Sequence, residues 1–147
     1  VYSALPLIHV GQVVKNFWFK FEKGKVVDYD AEVGKDVLTS IIEQDGGSYL
    51  GECALISKNT PIRQSGILFY DTLYDENASC HLALGMGFPE CIEGGLDMSR
   101  EELLAHGINQ STTHVDFMIG MDDLNIWGVS VNGEETPIFV NGQWAWE

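Results

Sequence analysis

Alternating apolar and polar positions open the chain and predict β-strands. From Gln12 to Phe21 and from Lys25 to Tyr29, β-branched and aromatic residues flank the short turn signal Lys23-Gly24, a pattern that predicts a β-hairpin. Three aromatic residues spaced two positions apart share one face of the first strand: Phe17, Phe19 and Phe21. We expect that face to be buried, because side chains two positions apart on a strand point the same way.

Two segments carry the spacing of surface helices. From Lys35 to Gln44 the apolar residues recur with helical period, and Gly46-Gly47 stops the element, as glycines commonly do at helix ends. Ser99 and Glu102 have the spacing of a capping box, which predicts a second helix that ends near Gly107.

The middle of the chain mixes short strands with loops. Gly51 to Ile56 is typical of a short, largely buried strand, and a loop that contains Pro61 follows it. The polar residues Asp75 to Asn77 then interrupt apolar sequence. We expect a helical turn over Asp71 to Asn77 and a strand after it.

The closing region returns to the rhythm of β-structure. The turn signals Asn132-Gly133 and Asn141-Gly142 separate further strand-like segments. Three predicted strands lie here: Thr113 to Ile119, Asn125 to Val131, and Pro137 to Trp146. The sequence therefore predicts an α+β fold of mostly antiparallel strands with two or three helices, in a single domain over residues 1–147.

Charge narrows the partners of this domain. Its 22 acidic residues against 8 Lys and Arg give a formal net charge of -14, which repels phosphate backbones and makes nucleic acid a poor partner. The same acidity attracts cations, whether metal ions or the protonated amine of a peptide, although a merely solubilising acidic surface is the simpler explanation.

Cysteine usage and hydropathy indicate the compartment. The three cysteines form no CxxC pair and are odd in number, which fits a reducing cytoplasm better than a disulfide framework. No apolar run approaches the roughly 18 residues of a membrane span, and no signal peptide is recognisable. The chain begins at Val1 in a segment typical of mid-chain sequence, and we expect an excised part of a longer cytoplasmic protein.

The most informative candidate chemistry lies in the strand that contains His114 and Asp116. Because strand side chains alternate between faces, these two residues project from the same side. An imidazole and a carboxylate so placed can hold a divalent ion if another element supplies further ligands. Such pairs are also common on exposed strands, so the pattern alone leaves both interpretations open.

Glu52 and His81 are further candidate ligands. Glu52 opens an apolar strand, where a metal would satisfy an otherwise costly buried carboxylate, unless that strand end is solvated. His81 lies in an apolar segment and needs a partner, either a metal or a backbone hydrogen bond. Cys53 and Cys80 adjoin these candidates but would point to the opposite faces, and we expect both to be core thiols.

Longer strings around these candidates resemble a known family. Tyr49 to Leu55, Leu68 to Gly85 and His114 to Asp123 are similar to the thermophilic metallo-aminopeptidases of the aminopeptidase T, aminopeptidase S and PepS type. The resemblance runs from about Val10 to Trp144 and corresponds to the catalytic region of that family. It implies four metal ligands: Glu52, His81, His114 and Asp116.

The resemblance also implies a chemistry and an assembly. Members of this family carry two divalent ions, for which zinc, cobalt and magnesium are all candidates. They remove N-terminal residues from peptides through a metal-activated water, and they form homodimers. We therefore expect a metallo-aminopeptidase domain with peptide substrates.

Two features depart from the family pattern. The family has a further glutamate ligand upstream of the region that matches Val1, and this chain does not contain it. The family also has a tyrosine seven residues after the first ligand histidine, where this chain has Phe88. These departures favour an alternative, a catalytically silent scaffold or dimerisation fragment. A nonenzymatic β domain that binds a small ligand has only the composition in its favour.

Overall fold

Nine strands and four α-helices make up the fold in a computed structural model that describes residues 1–147. The strands are β1 (Leu7–His9), β2 (Gln12–Glu22), β3 (Lys25–Val33), β4 (Leu50–Ala54), β5 (His81–Gly85), β6 (His114–Met118), β7 (Ile126–Val129), β8 (Glu135–Val140) and β9 (Gln143–Trp144). The helices are α1 (Lys35–Ile42), α2 (Pro61–Ser65), α3 (Thr72–Asp75) and α4 (Arg100–Ala105). Short 3₁₀ turns occupy Glu76–Ala78, Pro89–Cys91 and Gly95–Asp97.

The strands form three antiparallel sheets of three strands each. Their orders are β1-β2-β3, β4-β5-β6 and β7-β8-β9, so each sheet contains strands that follow one another along the chain. This arrangement confirms the predicted α+β class. No helix is long and apolar enough to cross a membrane.

The core lies between the first two sheets. Phe17 and Phe19 on β2 are 1% and 2% exposed, as their shared face predicted. Their rings meet Phe117 of β6 at centroid distances of 6.1 and 4.9 Å in edge-on geometry, a favourable arrangement for aromatic pairs. Helix α1 adds its buried side chains Val37, Leu38 and Ile41. The β4-β5-β6 sheet is therefore fixed by the core on one side.

The helix count corrects the prediction of two or three. Helix α2 occupies a stretch that the sequence predicted as a loop. The Thr60 side chain accepts a hydrogen bond from the Arg63 amide, Pro61 takes the first turn, and Gly66 ends the helix at φ 66°. These are the usual start and stop signals. Because Pro61 is also common in loops, the sequence predicted a loop here.

Of the two cysteines predicted to be core thiols, one is buried and the other is exposed. Cys80 is buried, and its thiol accepts a hydrogen bond from the Ile56 amide at 3.3 Å. Cys53 is exposed, so its prediction as a core thiol is wrong. Strand β4, predicted to be largely buried, is an edge strand and is mostly half-buried. The face of β4 opposite Glu52 lacks a covering layer at Cys53.

Candidate metal centre

Strand register places the predicted ligands on one face of the β4-β5-β6 sheet. Glu52 on β4 and Asp116 on β6 both pair with Ala83 of the central strand. His81 lies two positions before Ala83, and therefore shares its face. By the same alternation, His114 shares the face of Asp116. Because Ala83 carries only a methyl group, the space above it is left to the four functional side chains.

These side chains are in direct contact. His114 Nε2 lies 3.1 Å from Glu52 Oε2 and 3.2 Å from Asp116 Oδ1. His81 Nε2 lies 3.4 Å from Glu52 Oε1. The Glu52 carboxylate thus lies between the two imidazoles, one oxygen toward each. The structure brings together all four residues that the sequence singled out.

Backbone carbonyls fix the orientation of both rings. His81 Nδ1 lies 3.1 Å from the Ser79 carbonyl oxygen, and His114 Nδ1 lies 2.8 Å from the Met86 carbonyl oxygen. When Nδ1 donates to a carbonyl, Nε2 is left as the atom that can bind a metal. His81 therefore has the backbone hydrogen bond that the sequence analysis offered as an alternative to a metal. This bond is compatible with a ligand role, because it occupies Nδ1 and leaves Nε2 for a metal.

Glu76 joins the cluster and was missed as a candidate. Two groups of potential ligands, each with its ligand atoms within 4.8 Å of one another, are Glu52 with His114 and Asp116, and Glu76 with His81 and Asp116. Glu76 begins the 3₁₀ turn that leads into β5. The polar interruption around it was visible in the sequence, but only the fold shows that the turn lies beside Asp116.

The ionisable groups of the cluster shift one another's pKa values. The hydrogen bond from His114 to Asp116 is the largest influence on the imidazole and raises the pKa of His114 to about 9. Burial opposes ionisation of Asp116, but the hydrogen bond and charge of His114 outweigh it and lower the pKa of Asp116. Burial, followed by the charge of Asp116, raises the pKa of Glu76. A divalent ion would relieve this crowding of acidic groups.

Phe88 lies at the rim of the cluster. Its ring centroid is 5.0 Å from that of His114, and the side chain is 39% exposed. The residue therefore packs an apolar, solvent-facing surface against one of the candidate ligands. It carries no polar atom that could donate or accept a proton there.

Comparison with known proteins gives consistent matches over the whole chain. Residues 1–144 match the family described as thermophilic metalloprotease (M29). The chain is 54% identical to aminopeptidase AmpS of Bacillus subtilis (strain 168) over 146 residues, which cover 99% of this chain and 36% of that protein. It is 47% identical to aminopeptidase 2 of Geobacillus stearothermophilus, covering 100% of this chain and 36% of that protein.

A solved structure shows the same fold. Wild-type AmpT from Thermus thermophilus superposes with a TM-score of 0.90 at 38% identity, over 99% of this chain and 36% of that one. The chain therefore spans about 36% of the length of these relatives. The match over residues 1–144 and the shared fold show that the chain belongs to the M29 family of thermophilic metalloproteases.

Proposed function

We propose that residues 1–147 form a single metal-binding catalytic domain of a metal-dependent aminopeptidase that acts on peptides through two divalent ions. One observation carries this proposal: two histidines and three carboxylates converge on one sheet face, as two overlapping ligand groups that share Asp116. The names of the relatives, all aminopeptidases, support the reaction class.

The donor set suits two borderline divalent ions. His114 would serve one ion and His81 the other, each through Nε2, because Nδ1 of both rings faces a carbonyl. Glu52 and Asp116 would serve both, since each lies within reach of both histidine sites. Imidazole and carboxylate ligands accept zinc, cobalt or magnesium according to availability. When bound, such ions supply an activated water and polarise the scissile carbonyl.

Glu76 is the group suited to proton transfer. Its pKa is raised by burial and by the neighbouring Asp116, and a carboxyl tuned upward is a better proton acceptor near neutrality. Glu76 would take the proton that the attacking water releases during hydrolysis and pass it to the leaving amine. The other four residues hold the metals.

A second candidate function is a catalytically silent scaffold or dimerisation fragment. Phe88 favours it, because this position carries a tyrosine in the family that the sequence resembles, and a phenyl ring beside His114 offers no hydroxyl. Homodimer formation and a cytoplasmic location stay predictions.

Metal content and peptide hydrolysis together separate the two candidates, and metal content is measured first. The purified chain is soaked in zinc or cobalt and measured by elemental mass spectrometry beside a His114→Ala, Asp116→Ala double variant. A matched control replaces the exposed pair His106 and Asp97 by alanine. About two ions per chain in the wild type and the control, lost in the double variant, support the metal centre.

Binding no greater than in the double variant would reject this centre in the isolated chain. Peptide hydrolysis is then measured on the chain extended to the length of its relatives. Hydrolysis by the extended protein supports the aminopeptidase, whereas its absence despite bound metal supports the silent scaffold.

A further inference from the structure

The turn after β5 carries the carbonyl that orients His114. Residues Gly85 to Gly87 form this turn, and the Met86 carbonyl oxygen lies 2.8 Å from His114 Nδ1. Gly85 adopts φ 106°, and a Cβ there would collide with the Thr113 carbonyl. Gly85 therefore takes a backbone conformation that L side chains rarely adopt.

Asn109 holds the turn on both sides of Met86. Its side-chain amide donates to the Gly85 carbonyl at 2.6 Å, and its backbone carbonyl accepts from the Gly87 amide at 2.8 Å. The remaining N–H of the side-chain amide donates to the Gly46 carbonyl at 2.8 Å. Both partners of the side chain are carbonyls, so the NH₂ group is fixed as the donor.

Backbone contacts complete the support. The Met86 amide donates to the Thr113 carbonyl at 2.8 Å, and the Gly85 amide donates to the Tyr49 carbonyl at 2.8 Å. Apart from His114 itself, Asn109 supplies the side-chain hydrogen bond to this turn. The Asn109 side chain thus adds to these backbone contacts in fixing the Met86 carbonyl, and it lies outside the group of candidate metal ligands.

We propose that Asn109 is a positioning residue for His114: it fixes the Met86 carbonyl, and through it the direction of His114 Nε2. The effect of Asn109 on metal binding rests on the proposed function, whereas the contacts from Asn109 to the turn and from Met86 to His114 exist without metal. Loss of outer partners that orient a ligand histidine typically costs about 10- to 100-fold in metal affinity. Asn109 acts one contact further out, through the Met86 carbonyl, so its effect on the ion at His114 is expected at the lower end of that range, about tenfold.

The substitution Asn109→Asp tests this with little change of shape. A carboxylate cannot donate to the Gly85 and Gly46 carbonyls, and it places negative charge beside two acceptor oxygens. The matched control is Asn132→Asp, which makes the same chemical change at an exposed position in the β7–β8 turn. Asn109→Ala, which removes the amide without adding charge, is the second variant.

The first measurement needs no metal. In the metal-free chain, the His114 Nδ1–H proton is observed by NMR and its exchange with water is measured. We expect exchange to be several-fold faster in both Asn109 variants and unchanged in Asn132→Asp. Unchanged exchange in folded Asn109 variants would overturn the proposal, whether or not the chain binds metal.

The second measurement is a Co²⁺ titration followed by visible absorption. We expect affinity at the His114 ion to fall about tenfold in Asn109→Asp while the ion at His81 is retained. Retention of the His81 ion shows that the variant is folded. Equal weakening of both ions, or of neither, would contradict the positioning role. A wild-type chain that binds no Co²⁺ would instead reject the proposed function. In that case the exchange rate of the His114 Nδ1–H proton still tests whether Asn109 positions His114.

Discussion

The imidazole of His114 and the carboxylate of Asp116 lie 3.2 Å apart at alternate positions of one strand. Their hydrogen bond raises the pKa of His114 to about 9 and, with the charge of His114, lowers that of Asp116. In the metal-free protein the pair is therefore an ion pair at neutral pH. A metal that binds His114 Nε2 must displace the proton that this pair retains.

Metal affinity should consequently rise with pH. His114 is protonated in the metal-free chain below about pH 9, and the bound form requires a neutral ring, so each ion bound there releases one proton. Affinity at this site is expected to increase about tenfold per pH unit between pH 7 and about 9. Isothermal titration with zinc in buffers of different ionisation enthalpy counts the released proton. Affinity that does not change over this range would contradict the pairing.

The stability of the metal-free chain should instead fall as pH rises. The pKa of His114 is raised in the folded state from 6.5 to about 9, so the pair contributes stability that is fully present below about pH 6.5 and is lost as pH rises through 9. The melting temperatures of the wild type and a His114→Gln variant should converge over this interval. A constant difference between the two curves would show that the protonated pair does not stabilise the fold.

Glu76 should be separable from the metal ligands. In the chain extended to the length of its relatives, Glu76→Gln is expected to retain both ions, because in the proposed centre the other four residues hold them. The proposed peptide hydrolysis should fall by about a hundredfold to ten-thousandfold. His81→Ala, by comparison, should lose an ion as well as activity. Metal analysis and hydrolysis of an amino-acid anilide are measured on the same preparations. Loss of an ion from Glu76→Gln would reassign Glu76 as a ligand.

Phe88 offers a test of the silent alternative. The side chain is 39% exposed beside His114, so Phe88→Tyr adds a hydroxyl at the rim without burying a polar group. Metal content should not change, and peptide hydrolysis by the chain extended to the length of its relatives should increase if a hydroxyl assists the proposed reaction there. Leu96→Tyr, at a side chain that is 73% exposed outside the described centre, is the control for a new surface tyrosine. Equal activity of Phe88→Tyr and the wild type would show that the hydroxyl is not needed.

Local periodicity predicted much of the fold. The two-residue alternation that placed Phe17 and Phe19 in the core also placed His114 and Asp116 on one face. The capping box at Ser99 opens α4 as expected. These features depend on neighbours in sequence, and sequence patterns record them directly.

Features that depend on distant parts of the chain were not predictable in the same way. Glu76 reaches the cluster because a 3₁₀ turn places it beside a strand some forty positions later. Cys53 is exposed because β4 lies at a sheet edge. Neither the order in which strands pair nor the position of a strand at a sheet edge follows from residue types alone. Helix α2 is different, since its signals were present in the sequence but were interpreted as loop residues.

Anomalous diffraction at the zinc edge locates zinc bound to the β4-β5-β6 sheet, and so checks the proposal that two ions bind on one face of that sheet. Crystals of the chain soaked in zinc should show two peaks, one about 2.0 to 2.1 Å from His114 Nε2 and one at the same distance from His81 Nε2, with Asp116 beside both. Peaks only at surface carboxylates, or none at either histidine, would contradict the metal centre.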